Sequence, residues 1–125
     1  MSSAGMVPLS YREQEHMDAP SWGLQKFPVW LQRKIKARAA LTGRTITEVL
    51  VDELTAVAER LRKDPDSRAP DLPSGGEVID FWVVKHFPEE LRIRLKNLAR
   101  NEVPERTPLY KFVARELAAA AETWD

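Results

Sequence analysis

The chain has two histidines, His16 and His86, and no cysteine. Neither imidazole has nearby carboxylates at a spacing that makes a metal site, and each is read as a solvated or half-buried side chain. The missing thiols remove disulfides, thiolate ligands and cysteine nucleophiles, and they suit a reducing, cytoplasmic setting. Glu89 and Glu90 are adjacent carboxylates, but neighbouring helical positions point in different directions, which defeats shared acid–base work. Their place in a first helical turn is explained by the positive end of the helix dipole. There is no glycine-rich phosphate loop and no serine-triad signature. Trp22, Trp30, Trp82 and Trp124 are read as core or interface anchors. No catalytic residue, metal or cofactor is expected, so the chain is not read as an enzyme.

The remaining chemistry is electrostatic. Nineteen basic and nineteen acidic residues cancel over 125 residues, but their placement is uneven. Between Ala19 and Thr47 there is no acidic residue, while Lys26, Arg33, Lys34, Lys36, Arg38 and Arg44 are basic. Residues 20–63 hold nine basic and four acidic side chains, a net +5. Residues 64–80 hold one basic and five acidic side chains, a net −4, and residues 81–125 carry a net +1. One reading is a basic solvated helix beside an acidic linker. The other is an anionic partner for the first half, because local fields rather than net charge steer such ligands.

The elements that carry these residues follow a repeated pattern. WGLQKFPVWL at residues 22–31 matches WVVKHFPEEL at residues 82–91, sixty positions on. Trp22, Phe27, Pro28, Leu31 and Ala39 align with Trp82, Phe87, Pro88, Leu91 and Ala99. From Glu53 onward an offset of 63 fits better, placing three extra residues of the second half within NEVPERT. Each half predicts a short strand ending at proline, Ser21–Phe27 and Val78–Phe87, because proline lacks an N–H and fixes φ. Helices follow from Pro28 to Thr42 and from Pro88 to Asn101, with apolar residues recurring on one face. Gly43 ends the first, and Thr45-Ile46-Thr47-Glu48 is a capping box that starts a helix to Arg62. In the second half Thr107 is the expected N-cap, with Pro108 at the first helical position of a helix to Thr123. DPDSRAPDLPSGG is a linker.

With 43% hydrophobic and 30% charged residues, the chain has room for one compact domain or two small repeats. No apolar run reaches the ~18 residues of a membrane span. The opening MSSAGMVPLSYREQEH lacks a basic flank followed by an apolar stretch, so no signal peptide is expected.

Strand–helix–helix with a proline at the strand end, together with PEELRIRLKNLAR and GRTITEVLVDEL, resembles the ribbon-helix-helix family of DNA-binding proteins over residues 21–62 and 79–123. The resemblance implies a mainly α fold with a two-stranded antiparallel β-ribbon, two tandem repeats forming an intramolecular pseudo-dimer. Residues 1–20 would be a flexible arm, 21–63 the first repeat, 64–77 an acidic Pro/Gly linker and 78–125 the second repeat. Elementary physics agrees, since a half with one strand buries too little surface to fold alone and leaves both strand edges open.

In the family the ribbon enters the major groove, and the reading side chains lie two, four and six residues before the proline. Carried over, these are Lys26, Leu24 and Trp22, then His86, Val84 and Trp82. Four of the six are apolar. Leu24 and Val84 would meet thymine methyls or pack against protein. The opposite parity turns Gln25 and Lys85 outward but exposes Phe27 and Phe87. The resemblance also rests helix N-termini on phosphates. It implies contacts from Arg44, Thr45, Thr47 and Thr107, with Arg33 and Lys34 as further candidates. Thr45 and Thr107 are equally read as plain helix caps. The expected function is a sequence-specific double-stranded DNA-binding protein, a transcriptional repressor, with a second copy joining it on DNA. The alternatives are a plasmid-processing accessory protein or an antitoxin of the same fold. A further alternative is a protein-interaction module using the apolar ribbon face, or residues 1–20, without DNA.

Overall fold

Proline sets where each half turns from strand to helix. In the computed structural model, which describes residues 21–73 and 75–124, Pro28 and Pro88 take the same extended backbone, φ −60° with ψ 131° and 125°. The expected N-terminal arm, including His16, lies outside the described residues. Each proline is the residue before its helix rather than the first one in it. Strand β1 spans Trp22–Pro28 and helix α1 Val29–Thr42. Gly43, at φ 68°, ends α1 in the left-handed region that glycine enters without a Cβ clash. Helix α2 spans Ile46–Lys63. The expected capping box forms: the Glu48 N–H donates to Thr45 Oγ1 at 3.1 Å, and the Thr45 N–H donates to Glu48 Oε1 at 2.8 Å.

After a short 3₁₀ turn at Pro65–Ser67, strand β2 runs over Val78–Val84, helix α3 over Glu89–Arg100 and helix α4 over Leu109–Ala121. Most boundaries shift by one or two residues from the sequence reading, and two differences are larger in consequence. Strand β2 stops at Val84 rather than Phe87: its pairing with β1 ends there opposite Trp22, and Lys85 and His86 form a turn in which His86 takes φ 60°. Thr107 is not the cap of α4; its hydroxyl donates to Glu102 Oε1 at 2.6 Å, and Pro108 takes the cap position.

The two strands form one antiparallel sheet, with Trp22 opposite Val84, Gly23 opposite Val83, Leu24 opposite Trp82 and Gln25 opposite Phe81. The four helices gather on one side of it around a single core. Positions matched in the sequence are matched in the core. Phe27, Leu31, Ile35 and Ala39 are buried, as are Phe87, Leu91, Leu95 and Ala99 sixty residues on. Val49, Leu50, Leu54 and Ala58 are buried, as are Phe112, Val113, Leu117 and Ala121 sixty-three residues on. The Trp22 ring meets Phe87 with centroids 4.6 Å apart at 54°, and Phe27 meets Trp82 at 5.1 Å and 52°. The sixty-residue shift exchanges one aromatic pair for the other.

An ionic cluster fastens the start of the linker to α4. Arg115 donates to Glu102 through two nitrogens, at 2.9 and 2.5 Å, and to Glu116 Oε2 at 2.9 Å. Glu116, fully buried, also accepts from Arg60 and from the Ala69 N–H at 2.9 Å, while Arg68 approaches Glu102 at 3.5 Å. These partners supply the hydrogen bonds without which buried charges would be costly. The Arg115 hydrogen bond holds the Glu102 carboxyl below its ordinary range, and the same bond raises the Arg115 guanidinium.

Candidate nucleic-acid interface

A strand alternates its side chains between two faces, so the burial of one residue fixes its neighbours until the backbone leaves the extended region. In β1, Trp22 and Leu24 point into the core, 8% and 2% exposed, and Gln25 points out. Unbroken alternation would then put Phe27 outside. Lys26 prevents this by taking φ 49°, and Phe27 returns to the core. The second half does the same at the matching position: Val84 is 2% exposed, His86 takes φ 60°, and Phe87 is buried. A left-handed non-glycine residue costs about 1–2 kcal/mol. Leaving either Leu24 or Phe27 in water forfeits about 1.5–3 kcal/mol. The inversion therefore wins in both halves.

This geometry corrects the ribbon register expected from the resemblance. Trp22, Leu24 and Val84 are core residues, and Trp82 is half-buried with its ring against Phe27. None of the four lies on the outer face. Of the remaining two, Lys26 is exposed, with Nζ 5.6 Å from the Tyr110 ring centroid. His86 is half-buried, and its Nδ1 is buried without a hydrogen bond. Gln25 and Lys85, the opposite-parity residues, are exposed. Phe27 and Phe87 nevertheless stay buried, which plain alternation forbids.

The outer face is thus built from two cross-strand pairs, Gln25 with Phe81 and Gly23 with Val83. Phe81 is 59% exposed and Val83 47%. The Phe81 ring lies diagonally across Gly23, where an added Cβ would stand 2.1 Å from Phe81 Cζ. Only glycine leaves room for that ring. The sequence reading missed Phe81 and Val83 because FWVV offers four apolar residues in a row and no parity. Gly23 was the available signal, since a strand glycine marks a close approach.

Both ends of the ribbon abut a helix start. Thr47, in the first turn of α2, donates its hydroxyl to the Lys85 carbonyl at 2.8 Å. Tyr110, sixty-three residues later in the first turn of α4, lies under Lys26. Exposed lysines therefore stand where helix N-termini meet the ribbon, with exposed Asp80 also on β2.

The other phosphate candidates are mostly engaged within the chain. Thr47 is buried and its hydroxyl is taken by Lys85, Thr45 caps α2, and Thr107 serves Glu102. Arg44 pairs with Asp52 at 2.5 Å and donates to Thr42. Lys34 donates to the Ala121 carbonyl at 3.2 Å, where the negative end of α4 favours a cation. Arg33 is exposed. Among the described residues, no three histidine or carboxylate side chains gather as metal ligands, and no helix is long and apolar enough to cross a membrane.

No family model, curated protein or solved structure matches the chain.

Proposed function

We propose that the chain is a tandem ribbon-helix-helix pseudo-dimer that binds double-stranded DNA, laying the outer face of its β-ribbon in the major groove. The observation that carries this reading is the matching of the two halves about the ribbon. Lys26 and His86 both turn left-handed, Pro28 and Pro88 share one backbone geometry, and the Trp22–Phe87 and Trp82–Phe27 pairs exchange under the same shift. A two-stranded ribbon fits the major groove. The first turns of α2 and α4 would flank it, with Lys26 and Lys85 adding positive charge beside the phosphates. Occupying a promoter this way would make the protein a repressor. Titration of mixed genomic fragments at about 50 and 200 mM salt tests the reading, with binding that weakens steeply as salt rises. Salt-insensitive or absent binding rejects it.

One observation favours a second reading, a protein partner on the same face: two of its exposed outward side chains, Phe81 and Val83, are large and apolar. Under that reading Phe81→Ala abolishes partner capture and DNA has no effect.

A further inference from the structure

We infer that the ribbon face selects A·T base pairs by burying thymine methyl groups. The inference rests on the DNA-binding reading and adds the base class that the ribbon takes. The outer face offers one amide, Gln25, and two apolar side chains, Val83 and Phe81, the Phe81 ring lying across Gly23. Guanine presents two acceptors in the major groove and cytosine a donor, so a G·C pair gives Phe81 and Val83 nothing to bury and leaves its polar edge unpaired against them. An A·T pair presents the C5-methyl of thymine, which suits an apolar contact, and the N6/N7 edge of adenine, which suits a glutamine amide. Gln25 stands directly opposite Phe81, so the amide and the ring are placed on one face for neighbouring positions of the same groove. Lys26 and Lys85, exposed towards the two ends of the ribbon, outnumber the exposed Asp80 across from Lys26 and leave the ribbon with a net positive charge for a polyanion.

Four alternating duplexes test this with the full chain: poly(dA-dT), poly(dA-dU), poly(dG-dC) and poly(dG-dC) carrying 5-methylcytosine. Uracil differs from thymine only by the missing methyl, and 5-methylcytosine places the same methyl on a G·C pair. Burying one methyl contributes about 0.8 kcal/mol, or about fourfold in affinity, and two contacts roughly fifteenfold. The expected order has poly(dA-dT) about fifteenfold tighter than poly(dA-dU), with methylated poly(dG-dC) tighter than the unmethylated duplex. Phe81→Ala with Val83→Ala brings the thymine-to-uracil ratio close to one while the salt dependence stays unchanged. Equal affinity for the thymine and uracil duplexes overturns the methyl inference and leaves DNA binding standing. Failure to bind any of the four duplexes overturns both, and points to a protein partner instead.

Discussion

Replacing Lys26 by glycine and, separately, by valine asks whether the chain turns left-handed just before Phe27. At φ 49° valine suffers the Cβ clash that glycine escapes, a cost of about 1–2 kcal/mol. Glycine gives back about 0.5–1 kcal/mol through its larger loss of chain entropy on folding. The glycine variant is therefore expected to be more stable by roughly 1 kcal/mol, the branched valine side chain adding to its own penalty. In an ordinary extended strand the order reverses, because valine exceeds glycine in strand preference by up to about 1 kcal/mol. Both variants lose the contact with Tyr110, so that loss cancels in the comparison. The same pair at His86, φ 60°, provides an independent replicate. Equilibrium urea unfolding reads the difference as a midpoint shift of about 0.5 M at constant slope. If the valine variants are the more stable at both positions, the strands alternate without interruption and the outward face has been assigned to the wrong residues.

Three further outcomes follow from particular contacts. Glu102 has its carboxyl held low by Arg115, so its stabilising effect is complete above the ordinary glutamate range and is lost as pH falls through the depressed folded value. Glu102→Gln is expected to cost about 3 kcal/mol at neutral pH and to flatten the acid limb of stability measured by thermal melts against pH. Gly23→Ala displaces the Phe81 ring, with a small stability change and a weakened preference for thymine over uracil in the duplex assay. The full chain is expected to sediment as a 14.3 kDa monomer with a concentration-independent melting temperature, since each strand already has its partner within the chain.

The four helices, to within one or two residues at their ends, and the capping box were legible in the sequence because proline, glycine and threonine punctuate the backbone locally. Pro28, Gly43 and Thr45 act within a turn of their own position, and no distant residue overrides them. Ribbon parity was not legible. It depends on left-handed backbone at Lys26 and His86; lysine does not announce that conformation, and histidine, though enriched there, was read inside a continuous strand. What imposes it is tertiary: Leu24 and Phe27 both need burial, and so do Val84 and Phe87. The ionic cluster was hidden for a related reason. Glu116 takes partners from Arg60 and Ala69, dozens of residues away, and Glu102 draws Thr107 out of the capping role its position suggested. Local chemistry fixes most element boundaries, whereas the facing of side chains, and the cap of α4, are decided by what the rest of the chain brings to them.

The most direct test of a DNA-reading ribbon is an amide chemical-shift map of the ¹⁵N-labelled full chain titrated with an alternating dA-dT duplex at low salt. The expected shifts centre on Gly23, Gln25, Phe81 and Val83 and extend to the first turns of α2 and α4, while the buried faces of α1 and α3 stay unmoved. Shifts confined to other surfaces, or no shifts at all under conditions where the protein remains folded, would contradict the ribbon as the DNA-binding face.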